Sequence, residues 1–231
     1  MLEEILPACA AAVETREEIL DQGLFPAEAA IVERAVEKRR REFTTGRACA
    51  RRALGRLGLL PGPIPTGAAG APVWPSGVVG SITHCDGYRA CAVAHSHDLL
   101  TLGIDAEPND PLPDGLIAEI ALPQERGRVR ELTGEAPEVR WDRLLFSLKE
   151  AVYKAWFPLT GKWLGFEDAA ITLDREGGTF SASLLVPGPR LRDGELTTFS
   201  GNWLVRDGLV LAAIAVAADR GRILTGDKHS H

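Results

Sequence analysis

What constrains this chain most is the order of its hydrophobic patterns: a long helical stretch precedes a run of short strands, and the same order then occurs again. The first helical stretch opens at Pro26, with apolar residues at Ile31, Ala35, Phe43, Ala50 and Leu54 and a Pro/Gly-rich stop beyond it. The Thr44-Thr45-Gly46 step is expected to bend or split it. Residues 61–77, "PGPIPTGAAGAPVWPSG", are too punctuated by Pro and Gly for regular structure and read as a surface loop. Next, "VVGSITH", "YRACAVAH" and "LLTLGIDAE" read as three strands, the latter two joined by a polar turn at Ser96 to Asp98, and predict an antiparallel meander. In the second half, helical signals run through Leu116 to Leu122 and Val139 to Phe157. Strands "AAITLD", "TFSASLLV", "TTFSGNWLV" and "LVLAAIAVA" follow, with Arg206-Asp207-Gly208 as a hairpin turn. The pattern predicts an α+β fold of two similar halves, 1–107 and 108–231, each a helix with an antiparallel sheet, divided near "EPNDPLP" and without any residue-level repeat.

At 45% hydrophobic and 25% charged, the 231 residues have an ordinary globular composition. A net charge of −6 argues against a general nucleic-acid binder, whose affinity rests on neutralising phosphates with Lys and Arg. Cys9, Cys49, Cys85 and Cys91 form no CxxC pair and have no His at zinc-finger spacing, so reduced thiols are expected. The first residues are acidic where a signal peptide needs positive charge. The longest apolar run, from Leu209, falls far short of the ~20 residues of a membrane span. The expectation is a cytoplasmic protein with no membrane and no nucleic-acid partner.

Within this frame the segment "FSLKEAVYKAW", Phe146 to Trp156, is a nearly all-apolar helix carrying Glu150 and Lys154 one turn apart. Such a pair ordinarily stabilises a helix by ~0.2–0.5 kcal/mol. Its apolar company leaves little room for a solvated face. In "LLTLGIDAEP" the two-residue period sets Leu100, Leu102, Ile104 and Ala106 on one face and Asp105 with Glu107 on the other. Two adjacent carboxylates in a partly dry site retain a proton or take a cation between them, and hard oxygen ligands suit Mg²⁺. Adding Glu150 makes three acids, a plausible Mg²⁺ cradle that leaves room for phosphate. Lys38, Arg39, Arg40, Arg41, Arg47, Arg51, Arg52 and Arg56 place eight basic residues against one acid, Glu42, within nineteen positions, which can steer an anion; several of them also fit a solvated helix face. Ser81 and His84 stand on the first strand of the meander. A His84–Cys85 nucleophile pair is disfavoured, because strand neighbours point to opposite faces.

"GSITH", "GIDAEP" and "FSLKEAVYKAW" resemble, in order and spacing, the three signature segments of the Sfp-like (surfactin-synthetase-activating) 4′-phosphopantetheinyl transferases. "KRRREFTTGRACARRAL" and "FPLTGKWLGFEDAAI" look like the actinobacterial members, so the resemblance covers Val36 to Leu173. It implies transfer of the phosphopantetheine arm of coenzyme A to a serine of an apo carrier protein, with release of adenosine 3′,5′-bisphosphate, in a cleft between two pseudo-two-fold related halves. It further implies Mg²⁺ held by Asp105, Glu107 and Glu150. Glu150 is expected to accept the serine proton, directly or through water, and Lys154 to sit by the pyrophosphate. Arg39, Arg47 and His84 correspond to positions that bind coenzyme A phosphates, with Lys149 and Ser81 as helpers. One departure is visible: "PTGAAGAP" lacks the basic residue that several members carry there. A monomer is expected, since both halves lie in one chain. Two rival readings use the same residues: a Mg²⁺-dependent nuclease or phosphatase, and a non-enzymatic coenzyme A or carrier-binding module.

Overall fold

In the computed structural model, which describes residues 1–218, the long helical stretch from Pro26 is two helices, α1 (Pro26–Val32) and α2 (Glu37–Arg56). The division falls after Val32, not at Thr44–Gly46. Arg40 folds back and donates to the carbonyls of Val32 (3.2 Å) and Glu33 (3.1 Å) at the end of α1, the first of which also accepts the Ala35 amide. The suspected breakers are packing points instead. Thr44 donates to the Arg40 carbonyl within the helix, the Thr45 hydroxyl accepts the Ile19 amide, and Gly46 faces Ile82 of the first sheet.

The first sheet has the order β1-β3-β2, from β1 (Ala11–Thr15), β2 (Val78–Cys85) and β3 (Tyr88–His95). β1 escapes sequence reading because it is five residues long, with Ala at two of its positions and Glu14 near its end. The predicted three-strand meander does not form. β4 (Leu99–Pro108) leaves β3 and pairs antiparallel with β10 (Leu209–Ala217), in register from Asp105↔Ala212 to Glu107↔Val210. β4 is therefore the edge of the second sheet, order β4-β10-β9-β6-β5, with β5 (Ala169–Asp174), β6 (Thr179–Leu184) and β9 (Thr198–Arg206). A cut at residue 107 parts β4 from its own sheet. The reason is burial: Leu102, Ile104 and Ala106 join Leu209, Leu211 and Ala213 in one apolar cluster with Tyr88 and Ala90 of β3. A turn signal specifies where a chain reverses, not which strand it then pairs with.

Two short helices, α3 (Leu116–Ile120) and α4 (Pro123–Glu135), lead to α5 (Trp141–Thr160), and a two-strand ribbon of β7 (Arg190–Leu191) and β8 (Gly194–Glu195) follows β6. α4 carries almost no apolar periodicity, since among its residues only Val129 and Leu132 are buried hydrophobics. The β9–β10 hairpin turns where expected, with Asp207 at φ 51° and Gly208 at φ 74°, the left-handed pair of a type I′ turn. β10 is buried on both faces. Val210, Ala212 and Ile214 meet Leu144, Leu148 and Val152 of α5, while Leu209, Leu211 and Ala213 face the first sheet. Its unbroken apolar run follows from that.

Between the two sheets, β2 and β4 lie side by side without a backbone ladder between them. The Ser81 hydroxyl accepts the Ile104 amide (3.2 Å) and the Thr83 hydroxyl accepts the Ala106 amide (3.1 Å). Both residue numbers rise together, so the strands run in parallel and buried hydroxyls supply the acceptors that a neighbouring strand would otherwise provide. No helix among the described residues is long and apolar enough to cross a membrane.

Candidate active site

Alternation along β4 turns Thr101, Gly103 and Asp105 toward α5. The Thr101 hydroxyl donates to the Ala155 carbonyl (2.8 Å), tying helix to strand. At Gly103 a Cβ would collide with the Ala151 carbonyl and lie 2.7 Å from the Ala155 amide, so only glycine allows this approach. The close contact brings the next residue on that face, Asp105, up to the helix: Lys154 Nζ lies 2.6 Å from Asp105 Oδ1. Lys154 thus pairs across to β4, and the reading of Glu150 and Lys154 as a simple helical pair is not realised.

Asp105 is buried. Its Oδ1 accepts from Lys154 and from the Thr83 hydroxyl (3.1 Å), whereas its Oδ2 is buried with no partner. Glu107 receives Arg143 Nη1 at 3.1 Å, and the same guanidinium holds the carbonyls of Asp110 and Pro111. Burial, and then the neighbouring Asp105 charge, push the Glu107 carboxyl up to about 7 against the pull of Arg143. Burial and Asp105 raise Glu150 as well, with Lys154 opposing. Asp105 is therefore the shared neighbour of both glutamates. As they stand, the three acids do not form a metal cluster: among the described residues no group of three His, Cys, Asp or Glu is arranged to hold an ion. Lys154 and Arg143 supply the positive charge at Asp105 and Glu107. The donor chemistry still fits a hard cation, on one observation: a carboxyl oxygen, Asp105 Oδ2, is desolvated and unpartnered near two further carboxyls that resist ionising.

Protons held by Glu107 make stability depend on pH. A folded-state value near 7 against an ordinary 4.5 means that the native chain binds more protons than the unfolded one between those values, so stability falls as pH rises from about 4.5 to about 7. In thermal melts without divalent cations, Glu107→Gln is expected to reduce this decline by a few degrees. An unchanged slope in the variant would show that Glu107 ionises normally.

A second cluster lies on α2 and β2. Arg39, Arg47 and His84 line one cleft of ≈270 Å³ with Phe43, Thr66 and Ile82. Arg39 Nη1 is 2.8 Å from His84 Nε2, and since a guanidinium only donates, that nitrogen carries no proton. Burial and Arg39 both hold His84 below its usual value. Arg47 is buried, stacked 4.3 Å over the Phe43 ring and donating to the Thr66 hydroxyl, with its Nε unpartnered. The other arginines are engaged elsewhere. Arg51 pairs with buried Glu28, Arg41 with Glu37 and Glu18, Arg56 with Glu3, and Lys38 with Asp86, while Arg52 is exposed.

The two expected helpers are placed differently from each other. Lys149, one residue from Glu150 and so about 100° around the helix, points into the protein. Its Nζ pairs with buried Glu125 at 2.8 Å and donates to the carbonyls of Phe166 and Ala169. With three acceptors in the core it has no donor left for a coenzyme phosphate. Ser81 lines the larger cleft, and since its oxygen accepts the Ile104 amide, its hydroxyl proton is left to donate. Sequence reasoning missed Thr83 and Arg143. Thr83 was detectable as the period-2 partner of Ser81; Arg143 carried no local signal.

The larger cleft, ≈500 Å³, is lined by Glu150, Tyr153, Lys154, Phe157, Trp74 and Ser81. It shares Gly70, Pro72 and Ile82 with the cationic cleft. Beyond Glu150 and Tyr153 lies a smaller apolar cavity of ≈130 Å³ with Trp163, Leu164 and Phe166. One groove thus runs from Arg39, Arg47 and His84 to Glu150 and ends among aromatic rings.

Comparison with known proteins matches residues 27–94 to the 4′-phosphopantetheinyl transferase N-terminal domain and residues 101–205 to the 4′-phosphopantetheinyl transferase superfamily. The 4′-phosphopantetheinyl transferase Svp of Streptomyces mobaraensis is 58% identical over 198 residues, 86% of this chain and 80% of Svp. Npt of Nocardia iowensis is 50% identical over 226 residues, 94% of this chain and all of Npt, and PptT of Mycobacterium tuberculosis is 49% identical over 196 residues, 83% and 86% of the two chains. With both matched segments meeting along the groove just described, this chain belongs to the 4′-phosphopantetheinyl transferase family.

Proposed function

We propose that this chain transfers the 4′-phosphopantetheine arm from coenzyme A to a serine of an apo acyl or peptidyl carrier protein, releasing adenosine 3′,5′-bisphosphate. The observation that carries the reading is the continuity of the cationic cleft with the cleft that holds Glu150 and Lys154, joined at Gly70, Pro72 and Ile82. An elongated ligand with a phosphorylated nucleotide at one end, a pyrophosphate in the middle and a largely apolar arm at the other suits that sequence of surfaces. Arg39, Arg47 and His84 bind the nucleotide phosphates. The smaller aromatic cavity beside Glu150 receives the arm.

Asp105, Glu107 and Glu150 would hold Mg²⁺, which when bound offsets charge on the pyrophosphate. Glu150 takes the proton of the carrier serine, directly or through water, and its raised affinity for protons brings it closer to the range where a general base works best near neutral pH. The serine oxygen bonds to the phosphorus that bears pantetheine as the bond from that phosphorus to the bridging oxygen breaks. The bridging oxygen leaves with the adenosine bisphosphate. Lys154 stands beside Asp105 to stabilise negative charge on that leaving group. Every residue in this scheme comes from one chain, so a cytoplasmic monomer suffices.

Mass spectrometry of apo carriers incubated with the protein, coenzyme A and Mg²⁺ tests the reading: a gain of about 340 Da per carrier is expected for the transferred arm. Cleavage of generic phosphodiesters without any carrier would instead favour the nuclease reading. Replacing Arg39 or Arg47 with Ala should raise the coenzyme A KM more than it lowers kcat, the signature of lost uniform binding. Exposed Arg52→Ala is the control. Native KM in both variants would remove the cationic cleft from the binding site.

A further inference from the structure

We propose that Thr83 is a positioning residue for the transfer reaction: its hydroxyl aims the Asp105 carboxylate, and with it the Lys154 ammonium, toward the reacting pyrophosphate. The inference rests on the reading of Asp105 as a metal-holding residue.

A threonine hydroxyl has one proton to give and accepts through its lone pairs. The Ala106 amide, which can only donate, gives its hydrogen to Thr83 Oγ1 at 3.1 Å. Thr83 must then donate elsewhere, and Asp105 Oδ1 lies 3.1 Å away. The backbone of β4 thereby dictates the direction of a side-chain proton. Lys154 Nζ donates to the same Oδ1, so two donors converge on one oxygen of the carboxylate and none on the other. That asymmetry stops the carboxylate rotating and leaves Oδ2 as its only unpartnered oxygen. Thr83 is 1% exposed, so water does not compete for these bonds.

Residue type and position both support the assignment. A β-branched side chain on a strand has restricted χ1, so Thr holds its hydroxyl in place more firmly than Ser. Ser81, two residues earlier, makes the corresponding bond to the Ile104 amide but has no carboxylate partner. The clasp between β2 and β4 therefore occurs twice, and only the copy beside Asp105 carries the second bond. Thr83 also adjoins His84, so one strand links the cationic cleft to the acid that works at its far end.

Thr83→Val keeps shape and removes the hydroxyl. On the full chain, Mn²⁺ affinity read by electron paramagnetic resonance should fall about 10–100-fold, the usual scale for losing a residue that orients a metal ligand. The Mg²⁺ concentration for half-maximal transfer should rise in parallel. Calorimetric binding of adenosine 3′,5′-bisphosphate without metal should remain native, which reports an intact fold and cationic cleft. Thr83→Ser should recover both metal readouts. In an Asp105→Asn background the same valine change should add little, because the two act as one unit. If Thr83→Val fails to fold, Thr83→Cys, which keeps a weak acceptor for the Ala106 amide, carries the same forecast. Native Mn²⁺ affinity in a folded Thr83 variant, no recovery by Ser, or full additivity with Asp105→Asn would each overturn the proposal. Native Mn²⁺ affinity in Asp105→Asn alone would mark a different failure, that of the metal-holding role of Asp105, and the proposal would fall with it.

Discussion

Glu150→Gln is expected to lower kcat by a factor on the order of 10²–10⁴, the usual scale for a general base, while leaving the chain folded. The substitution keeps the shape and helix propensity of the side chain and removes its charge and proton affinity. The structure sharpens this forecast. Lys154 is bound to Asp105 and not to Glu150, so no ion pair is lost that could account for a drop in activity. Relief from a buried, charge-crowded carboxyl should leave stability unchanged or slightly higher. Asp105→Asn should also be slow, since it disturbs Lys154, Thr83 and the unpartnered Oδ2 together. Raising Mg²⁺ should rescue Asp105→Asn substantially and leave Glu150→Gln slow, because excess cation cannot replace a proton acceptor. Transfer by Glu150→Gln at nearly the native rate would assign the base elsewhere.

Lys149→Met is expected to lower stability by about 3–5 kcal/mol, the typical consequence of leaving one member of a buried ion pair behind. For a chain of this length that corresponds to a fall in Tm of roughly 6–20 °C, at about 2–4 °C per kcal/mol. Both side chains of the Lys149–Glu125 pair are 2% exposed, so solvent screens little of the interaction. Glu125 would keep its bonds from the Leu122 and Ile171 amides, yet its charge would have no counterion. The Phe166 and Ala169 carbonyls would lose their donor as well. Measured below its melting range, the variant should show a native coenzyme A KM. The opposite result, a native Tm with a raised KM, would return Lys149 to the coenzyme site, where the family resemblance put it.

These two neighbours on α5 show where sequence reasoning ends. Helical geometry makes it legible that residues 150 and 154 share a face and that 149 lies off it. It does not say what stands opposite each face. Lys154 meets Asp105 because Gly103 lets helix and strand touch, and Lys149 meets Glu125 from α4, a helix with too little apolar period to be foreseen. The arginines of α2 follow the same rule. A basic segment is visible in composition, but only the fold separates Arg39 and Arg47, which line the cleft, from Arg51, whose partner Glu28 is buried on α1.

By itself the sequence determined whatever depends on neighbours a few positions away. Alternation placed Asp105 and Glu107 on one face of a strand, Asp207-Gly208 made the last hairpin, and the helix bearing Glu150 ran as read. The order and spacing of three short segments were enough to indicate the family. The tertiary structure alone decided partners: β4 with β10 rather than β3, Lys154 with Asp105, Arg143 with Glu107, and the Thr83 hydroxyl between an amide and a carboxylate. The physical reason is one of range. Backbone sterics, period and turn chemistry act within one or two turns of chain, whereas pairing is chosen by which arrangement buries the most apolar surface with every buried donor satisfied, a condition on the whole molecule.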